Sequence, residues 1–210
     1  MSDWRPTDSA WVYDPESDAW STLAPMPEER LGGAAVTLED AIYIVGGTPG
    51  SSALLQYDPA SDAWATLAVM NESREHVAAA VLDGQIYAIG GRWQNAGEFA
   101  SVEVYNPEDD VWTPVASMND ARSGFGATVI DGKIWVAGGE VFSPETRALD
   151  SVEYYDPISD TWTLAPPMPF ALHGNPVASV EGQLFVLGGA DRAGAIDDAG
   201  RVVAFMPASD

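Results

Sequence analysis

A pair of glycines closes an apolar run four times in this 210-residue chain, always in one register. The runs are Ile42-Tyr43-Ile44-Val45-Gly46-Gly47, Ile86-Tyr87-Ala88-Ile89-Gly90-Gly91, Ile134-Trp135-Val136-Ala137-Gly138-Gly139 and Leu184-Phe185-Val186-Leu187-Gly188-Gly189. An aromatic holds the second place each time. A Tyr-Asp-Pro element follows at Tyr57, Tyr105 (with Asn106 for Asp) and Tyr155; Tyr13 precedes the first run, and a degenerate Phe205-Met206-Pro207 comes last. Seven residues after each tyrosine stands a tryptophan: Trp20, Trp64, Trp112 and Trp162. Six further on is a methionine, and four beyond the first three of those lie Arg30, Arg74 and Arg122, with Leu172 in the fourth place. The shift between copies is 44, 48, then 50 residues for every landmark. A fixed period of this size is the mark of a repeat architecture, in which one supersecondary unit is copied and stacked.

Each copy reads as four short strands. Small apolar residues (Gly33 to Leu38, Val77 to Leu82) form the first, and Asp83-Gly84 and Asp131-Gly132 are two-residue hairpin signals. The second is the continuous apolar run, which predicts burial on both faces. The third alternates, as in Ser101-Val102-Glu103-Val104-Tyr105. Asp-Pro turns the chain, and the fourth strand carries the tryptophan. Pro176 falls in a first strand, which then has to be a sheet edge.

Paired glycines, then tyrosine, then tryptophan, at a period near 50, resemble the kelch repeat. The resemblance covers essentially the whole chain. It implies an all-β, kelch-type β-propeller of about four blades, a single domain over residues 1–210 with units near 30–67, 74–115, 122–165 and 172–206 and N-terminal strands at 10–23. Leu172, Met206 for Asp, and the missing last tryptophan depart from the pattern. A composite blade of N- and C-terminal strands would close a four-bladed ring. The third strand is encoded five times, however, so one copy is spare; the alternative is an open arc, either a fragment of a larger ring or one completed by a second chain, whose unpaired edges invite self-association. The glycines (46, 47, 90, 91, 138, 139, 188 and 189), tryptophans and tyrosines read as blade packing.

Charge narrows the partners. There are 32 acidic residues against 9 basic ones, a formal net charge of −23, and Lys133 is the only lysine. Such a surface repels nucleic acid and anionic membranes. No cysteine is present, so disulfides and thiol chemistry are excluded. The first residues lack a signal-peptide pattern and no apolar run reaches transmembrane length, so the expectation is a soluble protein whose compartment the sequence does not give.

Strand alternation puts the loop entering each first strand and the loop between strands two and three on one face. Six of the nine basic residues fall there: Arg30, Arg74, Arg122, Arg92, Arg147 and Arg192. The candidate ligand-binding residues are Arg30, Arg74, Glu75, His76, Arg122 and His173, a mouth for carboxylates or other anions. The alternative is that the repeat-encoded arginines pair with Glu28, Glu29, Glu72, Glu75 or Asp120 and serve the scaffold. His76 and His173 are too few for a metal site, and Asp191, Asp197 and Asp198 lack a calcium-loop spacing. No metal or cofactor is expected, and no catalytic motif stands out. The kelch resemblance implies binding of a protein, peptide or glycan on this loop face, without catalysis. It also implies an alternative, a carbohydrate-active enzyme such as a sialic-acid mutarotase or epimerase.

Overall fold

The computed structural model describes residues 5–49, 52–194 and 202–205. Three four-stranded antiparallel sheets follow one another along the chain. Blade 1 consists of Ala34–Leu38, Ala41–Val45, Ala53–Asp58 and Ala63–Val69. Blade 2 consists of Ala78–Leu82, Gln85–Ile89, Val102–Asn106 and Val111–Val115. Blade 3 consists of Gly126–Ile130, Lys133–Ala137, Val152–Asp156 and Thr161–Ala165. Blade 4 has three described strands, Val177–Val180, Gln183–Leu187 and Val202–Phe205. Ahead of them stands a hairpin of Trp11–Asp14 and Ala19–Thr22, the register of a third and fourth strand. This is the propeller arrangement that the repeat predicts.

The hairpin turns work as their residues dictate. Asp83 and Gly84 have φ of 50° and 75°, and Asp131 and Gly132 have 50° and 69°, the paired positive values of a type I′ turn. Pro176 lies just before the first strand of blade 4 rather than in it, so no ladder donor is lost; its carbonyl accepts from Leu187 N–H.

The hydrophobic core lies between blades, not within one. Tyr43 and Val45 of blade 1 pack with Ile86, Ala88, Tyr105 and Trp112 of blade 2. Tyr87 and Ile89 meet Ile134, Val136, Tyr155 and Trp162 of blade 3, and Trp135 and Ala137 meet Leu184 and Val186 of blade 4. The second strand is therefore apolar on both sides because each side faces a sheet.

A polar staple repeats across these contacts. Asp62, Asp110 and Asp160, each at positive φ, accept from their own blade's tyrosine hydroxyl and from an alanine N–H of the preceding unit, Ala24, Ala68 or Ala116. The same alanine's carbonyl accepts from the indole of Trp64, Trp112 or Trp162. The first glycine of each of the first three pairs makes room for the next blade. A Cβ on Gly46 or Gly138 would lie 2.4 Å or 2.5 Å from the carbonyl oxygen of Arg74 or Leu172.

The ends do not join among the described residues. The N-terminal hairpin and the sheet of blade 4 are separate sheets. The third-strand place in blade 4 is filled by Val202–Phe205, so Trp11–Asp14 has no slot there. The described residues thus form three full blades, a three-stranded blade and a hairpin, with the two ends apart. Met206 and Pro207 lie outside the described residues.

Candidate functional site

The inner rim is built by two segments per blade, the entry to the first strand and the residues after the double glycine. They pair as Leu31 with Thr48, Glu75 with Arg92, Ser123 with Glu140, and His173 with Ala190. One residue further on, a backbone chain links the blades: His76 N–H donates to Gly32 O (2.6 Å), Gly124 N–H to His76 O (2.9 Å), and Gly174 N–H to Gly124 O (2.6 Å). All four residues have positive φ, 70°, 49°, 61° and 62° in chain order. Three are glycine, which adopts this region freely; His76 is not, and it holds a conformation that costs an L-residue free energy.

Side chains from blades 2, 3 and 4 converge on this rim. Glu75 contacts the His76 imidazole at Nδ1 and accepts from Arg92 Nε at 2.6 Å. Arg92 donates from Nη1 to Glu140 Oε1 at 3.0 Å, which bridges two blades. Glu140 Oε2 lies 3.2 Å from His173 Nδ1 and accepts from Gly194 N–H at 2.7 Å. His173 Nε2 faces the carbonyl of Arg192 at 2.8 Å. Burial by itself would raise the Glu75 pKa, but the hydrogen bonds and charges of His76 and Arg92 outweigh it and hold the carboxyl below its ordinary value. Arg92 also stacks over Phe142, 5.2 Å from the ring centroid, and Phe142 is exposed. Beside it, Asn119–Ala121, Val141, Ser143–Glu145 and Arg147 line an open recess of about 440 Å3.

Of the sequence candidates, Glu75, His76 and His173 come together here. Arg30, Arg74 and Arg122 lie elsewhere: all three are buried under the rim. Each donates to the carbonyl of its own blade's first glycine, Gly46, Gly90 or Gly138, at 2.8 Å. Arg30 pairs with Glu28. Arg74 pairs with Glu72 (2.9 Å) and Glu103 (3.0 Å), and Arg122 with Glu153 (2.5 Å) and more distantly with Asp120. Their guanidinium groups are occupied by the scaffold, which leaves Arg92 on the rim and Arg147 on the adjoining recess. Burial lowers the pKa of Arg122, with the charge of Glu153 opposing it.

Arg92 and Glu140 belong to the cluster and were not among the sequence candidates. A signal for them exists. The residue after the double glycine is Thr48, Arg92, Glu140 or Ala190, a fixed register whose identity changes from blade to blade. Arg147 and Arg192 are exposed; Arg147 lines the recess beside Phe142, and Arg192 meets the cluster through its backbone carbonyl. Among the described residues no three His, Asp or Glu side chains gather as metal ligands; Asp197 and Asp198 lie outside them. No described helix is long and apolar enough to cross a membrane.

Stacked four-stranded blades with interleaved cores define a kelch-type β-propeller. The profile of the KLHDC2/KLHL20/DRC7 Kelch-repeats domain matches residues 2–189, and the chain belongs to that kelch-repeat family. Among curated proteins it is similar to the Kelch-like protein terF of Aspergillus terreus, 46% identical over 46 residues (21% of this chain, 10% of that protein). It is also similar to Alpha-scruin of Limulus polyphemus, 47% identical over 36 residues (17% of this chain, 4% of that protein). The chain thus spans a tenth or less of these relatives. Among solved structures it resembles that of YjhT, with a TM-score of 0.71 and 21% identity, covering 87% of this chain and 67% of that one. That likeness concerns the fold.

Proposed function

We propose that this propeller is a non-enzymatic interaction module that binds a protein or peptide through the inner rim and its flanking loops. The observation that carries the reading is His76. Three blades place glycine at this station and blade 2 places a histidine there at φ 49°. Strain kept at one station of a repeat points to a role outside the scaffold. The groups around it suit a polar partner: half-buried Arg92 and His76 beside the exposed Phe142, a cation, an imidazole and an aromatic anchor within one patch. Their mutual pairing in the free protein supports recognition more than reaction. The test is a peptide and glycan array with wild type, His76→Gly and Arg92→Ala. Captured ligands are expected to bind each variant about tenfold more weakly, while His76→Gly keeps or slightly raises the melting temperature. Undiminished binding by both variants would remove the rim from the reading.

One observation favours a second reading. Glu75 and His76 form an acid–base pair beside Arg92, the groups that a mutarotase or epimerase acting on a carboxylated sugar such as sialic acid would need. NMR of anomer exchange separates the two readings. Acceleration by wild type, lost in Glu75→Gln, would establish catalysis; no acceleration leaves the interaction module.

A further inference from the structure

The two ends of the arc expose the two halves of one contact that the molecule makes repeatedly inside itself. Within the arc, the second-strand aromatic and the apolar residue two places on cover the tyrosine–tryptophan face of the next unit. Tyr87 reaches Tyr155 with ring centroids 5.8 Å apart, and Trp135 reaches Phe205, also at 5.8 Å. The face they cover is buried: Trp112 and Trp162 are 6% and 9% exposed.

At the N-terminal end the same face is bare. Tyr13 and Trp20 pair as their counterparts do, with centroids 5.2 Å apart, yet they are 42% and 65% exposed. Trp11 takes the register of Leu55, Glu103 and Glu153, all buried, and is itself 58% exposed. At the other end, Phe185 and Leu187 occupy the register of Tyr43 and Val45, and Leu187 is exposed. Gly188 confirms the opening. A Cβ there meets none of the described residues within 4 Å, where Gly46, Gly90 and Gly138 press on the following blade.

We infer that two copies of this chain associate head to tail, with Phe185 and Leu187 of one seated on Trp11, Tyr13 and Trp20 of the other. The contact continues an interface already formed between successive blades: an aromatic and an aliphatic residue on one side, a tyrosine–tryptophan pair on the other, with Trp11 adding apolar area where blades 2 and 3 have glutamate. It is heterologous, so one copy keeps both an open head and an open tail until a ring or a chain of copies closes them. The net charge of −23 opposes association between copies, so added salt strengthens it by screening. A contact held by ion pairs would weaken instead.

Light scattering coupled to gel filtration tests this. The wild type is expected to show a mass that is a multiple of 22.3 kDa, rising with protein concentration and with salt. Trp20→Glu blocks the head and Phe185→Glu blocks the tail, so each alone is expected to run as a monomer. Mixed in equal amounts they keep one intact head and one intact tail, and a dimer is expected. That rescue also shows that both variants are folded. If either variant fails the circular-dichroism check for the wild-type fold, Trp11→Thr and Leu187→Thr replace the pair. A wild type that stays monomeric at high concentration and high salt overturns the inference, as does a mixture of folded variants that remains monomeric.

Discussion

Arg122 and Glu153 are both fully buried and meet at 2.5 Å. Glu153 also accepts from Asn119 N–H, the Asn119 amide and Asp120 N–H, so it pins the loop that crosses from blade 2 to blade 3. Arg74, Glu103, Asn71 and Glu72 repeat this one blade earlier. Blade 4 replaces the whole set. It has Leu172 for the arginine, Val203 for the glutamate and Pro169 for the asparagine, and a proline has no N–H to satisfy. Leu172 and Val203 lie in one apolar cluster. Blade 1 stands between, with Arg30 kept but Pro27 and Leu55 in the other two places. Arg122→Leu leaves a buried carboxylate without its cation, and a loss of about 3–5 kcal/mol is expected from urea unfolding. Arg122→Leu with Glu153→Val copies blade 4 and is expected to recover a substantial part. Full recovery is not expected, because Asn119 and Asp120 still present donors. A double variant no better than the single would contradict the pairing. The sequence shows the arginine register and three of its acids, Glu28, Glu72 and Asp120. It hides Glu103 and Glu153: alternation puts each on the face of its blade-packing tyrosine, but a carboxylate there gives no sign of the arginine it meets.

Strands and turns were the most legible level, for a physical reason. Second strands buried on both faces must be apolar throughout, type I′ turns require residues that accept positive φ, and both signals are local in sequence. What joins one blade to the next is less local. Gly138 and Gly188 are the same residue in the same register, yet their surroundings differ. At Gly138 a Cβ meets the Leu172 carbonyl at 2.5 Å and the Asn175 side chain at 2.7 Å, on top of φ +70°. At Gly188 it meets none of the described residues within 4 Å and faces only φ +61°. Gly188→Ala is expected to cost about 1–2 kcal/mol, the conformational term alone. Gly138→Ala adds a backbone clash between blades and is expected to cost clearly more. Equal losses in denaturant unfolding would mean that the blade contact at Gly138 contributes nothing. The rim shows the same limit: Glu75, His76 and His173 were legible as polar residues on one loop face, whereas the bridge from Arg92 to Glu140 depends on two blades lying side by side.

For the whole molecule, the repeated tyrosines set a stability limit at alkaline pH. Tyr87, Tyr105 and Tyr155 are buried between blades. Burial is the main cause that raises each pKa above 10.0, and for Tyr105 and Tyr155 the hydroxyl's hydrogen bond to Asp110 or Asp160 adds to it. The folded state therefore keeps these protons to higher pH than the unfolded chain does. Their contribution is fully present below pH about 10 and is lost as pH rises through the folded-state values. Unfolding free energy from urea titrations is expected to be insensitive to tyrosine ionisation at neutral pH and to fall above pH about 10. Tyrosinate absorbance should appear in the urea-unfolded chain at lower pH than in the native one. Lys133 is the only lysine, so lysine titration adds little to the slope in that window. Tyr105→Phe removes one of the contributing groups and should flatten the fall, though it costs stability at neutral pH by breaking the bond to Asp110. An unchanged slope in that variant would show that the alkaline limit arises elsewhere. The same hydroxyls also position Asp110 and Asp160 to hold the preceding blades through Ala68 and Ala116. Ionising Tyr105 or Tyr155 sets a second negative charge against that carboxylate, so the loss begins at the contacts between blades rather than inside any one sheet.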